Sequence, residues 1–229
     1  MKMMFLNAWW GTRGSVLWKY IGEESKRIDI FCFIETGEKF KAKCDEILPE
    51  YTSVSTVKDV FEEVEHSISV YVRNGIKILK SETILDNDIY TGASLFTEIE
   101  KDGKKLNIAS VHGVANPGDK LDNPKRLEQS RIIVDYMAKI KGAKVVGGDF
   151  NLEKDTESVK MFEKNGYRNL IEKYKIETTR NRLTWEVWPD NKQLWADYLF
   201  VGPEIKVKSF EVPKNEVSDH LPLILEIEE

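Results

Sequence analysis

Asp149 and Asn151 lie two residues apart in VVGGDFN at 145–151, and Asp219 and His220 are adjacent in SDH at 218–220. Glu35 follows the apolar run DIFCFI at 29–34, Asn7 closes a shorter apolar run that begins at residue 3, and Asp197 opens DYLF at 197–200. Each is a carboxylate, an amide or an imidazole at the end of a predicted strand. Carboxylates gathered near neutral pH repel one another unless a cation or a proton intervenes. Oxygen donors of this kind suit Mg²⁺, with Mn²⁺ as a substitute, far better than zinc. Because Mg²⁺ keeps several waters and takes few protein carboxylates, Glu35 is the expected main ligand, with the other acids holding waters or a second ion. Histidine exchanges protons near pH 7 once its ring is fixed, and Asp197 is the residue expected to fix His220. Taken singly, each position also has an ordinary use. Asp149 and Asn151 suit a turn that bonds its own backbone, Glu35 suits a solvated loop, and Asp197 suits a strand-start turn.

The elements that would have to position these groups can be read from periodicity. Residues 3–8 form a buried strand ending at Asn7, with Trp9 on the same face if the extension continues. Val16 to Arg27 has helical spacing, and Asp29 to Ile34 is a second strand. That order implies a right-handed parallel crossover, which would set Asn7 and Glu35 at the same end of neighbouring strands. A short helix is expected from Glu38 to Pro49, then strands at Tyr51–Val57, Ser67–Val72 and Ile76–Leu85. Asn74-Gly75 reads as a hairpin turn between the last two. A further hairpin joins 93–99 to 105–111 across Asp102-Gly103 and leaves His112 at a strand end. Lys125 to Lys141 is amphipathic.

The central strand follows at once, and Gly147 and Gly148 are expected to end it and deliver Asp149 to the rim of a sheet. Asp149 and Asn151 would then face one way and Phe150 the other. A helix near 156–164 and strands near 182–188, 196–201, 204–211 and 221–227 complete the chain. Neighbours within a strand face opposite sides, so Asp219 and His220 can serve one site only from the loop before the last strand.

At 229 residues and 41% hydrophobic content, with no Gly/Ser/Pro-rich linker, the chain is expected to be one domain spanning 1–229. A net charge of −5 argues against coating nucleic acid by bulk electrostatics, though a local basic patch or a bound cation would still attract phosphate. Two cysteines without CxxC spacing, an apolar amino-terminal run too short for a signal peptide and no run of membrane-spanning length point to a cytoplasmic protein. His66 sits in a charged stretch and is assigned no role. Arg180 and Arg182 are candidate phosphate contacts against a background of exposed loop charge, and Trp9 could stack on a flat group rather than merely pack.

These motifs, in this order, resemble the endonuclease/exonuclease/phosphatase superfamily of metal-dependent phosphoesterases over essentially the whole chain. LNAWWG at 6–11 is similar to its opening Asn segment, and DIFCFIET at 29–36 to its DIxxxQET block with Ile34 in place of glutamine. SVHG at 110–113, GDFN at 148–151, RLTW at 182–185, DYLF at 197–200 and SDHLPL at 218–223 follow in the family's order. The resemblance implies an α/β protein, α+β by some schemes, built as a four-layer α/β/β/α sandwich with two mixed, mainly antiparallel sheets.

It also implies roles. Glu35 would hold the metal with Asn7 nearby and Asp219 assisting, and Asp149 and Asn151 would position water and phosphate. His220 would exchange the proton, Asp197 would orient it, and His112 would donate to a phosphate oxygen. The expected activity is Mg²⁺-dependent hydrolysis of a phosphate ester, with a nuclease on DNA or RNA slightly favoured. A phosphatase or phosphodiesterase on a small molecule or lipid headgroup is the alternative, and a scaffold that kept the fold without turnover is a third. A monomer is expected.

Overall fold

The computed structural model describes residues 1–61, 64–85 and 92–228. In chain order the strands and α-helices are β1 (Lys2–Asn7), α1 (Ser15–Glu24), β2 (Ile30–Thr36), α2 (Glu38–Ile47), β3 (Tyr51–Phe61), β4 (Val64–Arg73), β5 (Lys77–Thr83), β6 (Ala93–Lys101) and β7 (Lys104–His112). After these come α3 (Pro124–Lys139), β8 (Ala143–Asp149), α4 (Glu157–Lys164), β9 (Arg168–Asn169), α5 (Leu170–Lys173), α6 (Arg182–Val187), β10 (Asp197–Val201), β11 (Val207–Glu211) and β12 (Leu223–Ile227). The strands form two six-stranded sheets, ordered β11-β12-β1-β2-β4-β3 and β5-β6-β7-β8-β10-β9.

Strict alternation along β1 and β2 explains the layering. Met3, Phe5, Ile30 and Cys32 face the second sheet, while Met4, Leu6, Phe31 and Phe33 face Leu17 and Ile21 of α1 and Phe40 and Cys44 of α2. On the second sheet, Ile133 and Met137 of α3 and Val159 and Phe162 of α4 cover the outer face. The result is helix, sheet, sheet, helix, the four-layer arrangement that the motif order implied. Fully burying side chains of this size stabilises by roughly 1.5–3 kcal/mol each, so the strands are held from both faces.

In each sheet one pair is parallel, β1 with β2 and β7 with β8, and the chain crosses between the partners through α1 and α3. Both parallel pairs end at the same rim. Asn7 pairs with Ile34 beside Glu35, and His112 pairs with Asp149. The two crossovers thus lay four chemically active residues at facing strand ends.

Three local expectations are corrected. Asn74-Gly75 is not a hairpin turn, because β4 pairs with β2 and β3 while β5 belongs to the other sheet. A strand has two edges, both edges of β4 are taken, and the turn instead carries the chain between layers. Gly147 and Gly148 do not end their strand but pair within it, to Ser110 and Val111 on one side and Leu199 and Tyr198 on the other. Gly148 has φ +133°, and a Cβ there would lie 2.2 Å from the Val111 carbonyl oxygen. It lets two strands approach where a side chain would wedge them apart.

Residues 182–187 form a helix rather than a strand. The Asn181 side chain accepts from the Leu183 N–H, and Arg182 pairs with Glu186 one turn on. Cap and pair outweigh the alternation in RLTWEVW. No helix among the described residues is long and apolar enough to cross a membrane.

Candidate active site

Glu35 reaches the rim through a defect in β2. The β2–β4 register slips between Ile34 and Thr36, and Glu35 at the slip has φ +53°. A bulge re-aims one side chain out of the pleat, and the left-handed conformation costs roughly 1–3 kcal/mol for a non-glycine residue. The same strain recurs around the cleft at Trp9, Trp10, Lys120 and Asn151. Five of the seven non-glycine residues at positive φ among the described residues therefore line one cavity of about 410 Å³. Backbone strain concentrated in this way marks a site whose geometry is held by its surroundings.

Asn7 uses both ends of its amide. Its Nδ2 donates to Asp149 at 3.0 Å, and its Oδ1 accepts from the Trp9 N–H at 3.1 Å. Trp9 begins a short 3-10 turn instead of continuing the strand, so it lines the cleft by a route other than extension. The second oxygen of Asp149 accepts from the Asn151 N–H at 2.9 Å. Phe150 between them is fully buried against Phe162, Tyr198 and Phe200. Asp149 and Asn151 do share the cleft, although the chain turns at Asn151, where φ is +55°.

Gly113 admits this packing. It donates its N–H to the Asp149 carbonyl, and a Cβ there would fall 2.2 Å from the Phe150 carbonyl oxygen. The Asn151 side chain donates to the Gly113 carbonyl and accepts from Lys120 Nζ at 2.5 Å.

His220 lies in the loop before β12, tied by a bridge to Arg180. Its Nδ1 is 2.8 Å from Asp197, while Nε2 is 3.8 Å from Asp149 and 3.9 Å from Asp219. His112 Nε2 is 3.6 Å from Glu35. The structure therefore gathers Asn7, Glu35, His112, Asp149, Asn151, Asp197, Asp219, His220, Arg180 and Trp9 at one place. Arg182 is not brought there. It points outward, bound to Glu216 and Glu186, because α6 turns it away from the cleft. The His66 ring lies against that of Trp10, centroids 4.9 Å apart and tilted by 54°.

Burial sets the electrostatics. It raises Glu35 to about 7, with the neighbouring Asp219 adding to the effect and His220 opposing it. Burial alone would lower His220, but Asp197, Asp219 and Asp149 together outweigh it and raise the imidazole to about 9. Burial likewise raises Asp197, so the Asp197–His220 pair retains a proton. For Asp149 burial is overcome by His220, His112, Arg180 and Lys120, which hold its carboxyl well below the usual range. Asp149 is thus kept ionised while its neighbours hold protons.

Two triads have donor atoms within 4.8 Å of one another: Glu35, His112 and Asp149, and Asp149, Asp197 and His220. In the second, Asp197 is already bonded to the ring nitrogen of His220, which suits proton handling. The first, with Asp219 close to Glu35, places partly and fully buried carboxylates together at a cost that a hard divalent cation would relieve. The donor set fits such an ion.

Periodicity alone does not reveal Lys120 or Asn116, which line the cleft from the loop after β7. The loop is shaped by Arg126, a fully buried residue of α3. Its guanidinium donates to the carbonyls of Val114, Ala115, Pro117 and Leu121 and to Asp119. Arg126→Met should lower unfolding stability by roughly 3–5 kcal/mol, because the carbonyls lose their donors together. Chemical denaturation reads this directly, and a loss under 1 kcal/mol, roughly the net worth of one hydrogen bond, would show that the loop holds itself.

A family model described as the endonuclease/exonuclease/phosphatase family matches residues 6–220. No curated protein matches the chain. Among solved structures, an endonuclease/exonuclease/phosphatase from Bacteroides vulgatus is 18% identical with TM-score 0.79, over 99% of this chain and 98% of that one. The Bacteroides thetaiotaomicron mannosyl-6-phosphatase is 18% identical with TM-score 0.76, over 100% of both chains. The human Nocturnin catalytic domain with bound sulfate is 19% identical with TM-score 0.77, over 100% of this chain and 93% of that one. At these identities the structural likeness speaks for the fold. With the family match spanning the motifs from Asn7 to His220, the chain belongs to the endonuclease/exonuclease/phosphatase family of phosphoesterases.

Proposed function

We propose that the protein hydrolyses a phosphate ester by in-line attack of water with the aid of a divalent cation, Mg²⁺ or Mn²⁺ in its place. The observation that carries this reading is the His220 ring, held at Nδ1 by Asp197 at 2.8 Å with its other nitrogen turned to Asp149. Glu35, with Asp219 beside it, would hold the cation, and Asn7 steadies Asp149. When bound, such an ion supplies positive charge at the phosphate oxygens and offsets the carboxylates that keep a proton on His220. Asp149 and Asn151 hold the attacking water against phosphorus. His220 takes the water's proton, and Asp197 keeps the ring in one tautomer and stabilises the imidazolium that forms. His112, across from Glu35, donates to a phosphate oxygen.

Most of the barrier in such a reaction is removed by positioning and electrostatics, for which a largely buried, pre-strained cleft is suited. The test is release of p-nitrophenol from mono- and bis(p-nitrophenyl) phosphate with Mg²⁺, with Mn²⁺ and with chelator. Turnover should appear with either cation and fall at least about a thousandfold with chelator, the loss of several kcal/mol of charge stabilisation. Equal rates with chelator would refute the cation's part, and no turnover with any ester would favour a scaffold.

A further inference from the structure

Two features of the cleft bear on what kind of phosphate enters it. The first is a hydrogen-bonded bridge at its edge. Past α6 the chain lies across the loop after β7, and the side chains of Asn191 and Gln193 both donate to the Gly118 carbonyl, at 2.9 and 2.6 Å. Gln193 also donates to Asn191 Oδ1 at 3.0 Å. All three residues line the cleft, and the loop carrying Gly118 is fixed from below by Arg126. The bridge ties the chain past α6 to the loop after β7 at the edge of the cleft.

The second feature is the placement of positive charge. Among the described residues, Lys120 and Arg180 are the lysine and the arginine that line the cleft, beside His112 and His220, and both are buried, each 8% exposed. Lys120 Nζ lies against Asn151, beside the position assigned to the reacting phosphate. Among the described residues near the cleft, Lys192 lies over the Trp185 ring and two other basic side chains are held by carboxylates. Arg182 is bound by Glu216 and Glu186, and Lys214 by Glu177. A protein that follows a polyanion spreads exposed cations along its path, whereas two buried cations at the floor recognise one compact group. A cavity of about 410 Å³ is also of small-molecule size. Trp188, 61% exposed at the mouth, offers an apolar face to the single organic group that would project outward.

Resting on the phosphoesterase reading, we propose that this cleft takes a terminal phosphomonoester, carried by a small molecule or by the end of an oligonucleotide, with Lys120 and Arg180 holding its phosphate oxygens. Water's oxygen then joins phosphorus, the single ester P–O bond breaks, one proton passes to the departing alcohol, and inorganic phosphate remains. Internal diesters are excluded because their second substituent meets the Asn191–Gln193–Gly118 bridge.

Four probes test this on the full chain: p-nitrophenyl phosphate, bis(p-nitrophenyl) phosphate, a 5′-phosphorylated trinucleotide, and closed circular single-stranded DNA, which has no terminus. The parent should release phosphate from p-nitrophenyl phosphate, the trinucleotide or both, with kcat/KM about tenfold or more above that on either diester. Which of the two monoesters is preferred identifies the source. Cleavage of the circle as fast as monoester hydrolysis would overturn the proposal, and so would preference for the bis-ester. Replacing Asn191 and Gln193 together by alanine should raise circle cleavage relative to monoester hydrolysis by about tenfold.

Calorimetry with inorganic phosphate separates the pocket from the turnover. Parent protein should bind it, and Lys120→Met, checked for its fold by circular dichroism, should weaken binding about tenfold or more. Such binding without hydrolysis of any ester would end the hydrolase reading yet uphold the anion pocket. Unchanged binding in Lys120→Met would overturn the role of Lys120.

Discussion

His220→Ala is expected to lower kcat on any turned-over ester by about 10²–10⁴-fold, with little change in KM, because it removes the proton acceptor and not the phosphate contacts. Asp197→Ala should cost less, roughly 10–100-fold, since it frees the ring without deleting it. The informative measurement is the double variant. Asp197 touches the reaction through the imidazole, to which it bonds at 2.8 Å, so once His220 is gone its removal should add almost nothing. Multiplying losses would mean that Asp197 acts independently and that the pair is not one device. A His220→Ala protein retaining more than about a tenth of parental kcat would refute the assigned role outright, since a positioned base is worth at least about a hundredfold.

The two residues also explain what could and could not be read before the fold was known. That Asp197 opens an apolar strand and that His220 precedes one are local facts, visible in DYLF and SDHLPL. That they meet depends on β10 and β12 lying in different sheets with their ends at one rim, which no local pattern contains. The order of motifs supplied that link, and the parallel crossovers through α1 and α3 are its physical basis. Where local chemistry was trusted alone, it failed in an intelligible way. Asn74-Gly75 favours a tight turn and does form one, but the free edges available to β4 decide what the turn connects. Alternation in RLTWEVW predicts a strand, but the Asn181 side chain caps a helix there instead. Lys120 has no sequence signal because a loop has no period, and only the acceptors around Arg126 show how that loop is held.

Glu35→Gln is expected to abolish cation-dependent turnover, by about a thousandfold or more, while making the cation-free protein more stable than the parent at neutral pH. The sign follows from the raised carboxyl. Glu35 moves from 4.5 to about 7 on folding, chiefly through burial and then through Asp219. Between those values the unfolded chain has released a proton that the folded chain still holds, so stability falls as pH rises through this window. By pH 8 the folded protein carries a buried carboxylate beside Asp219 and Asp149, a cost of up to about 3 kcal/mol that glutamine removes. Thermal unfolding in chelator should therefore show Glu35→Gln above the parent at pH 8 and close to it at pH 4.5, the ordinary value for this carboxyl. Millimolar Mg²⁺ or Mn²⁺ should raise the parent's midpoint and leave that of Glu35→Gln nearly unmoved, since the ion binds where the charge was. If the variant is instead less stable than the parent in chelator at pH 8, the carboxylate is satisfied by the protein alone. The convergence of acids in this cleft would then not require a cation to offset it.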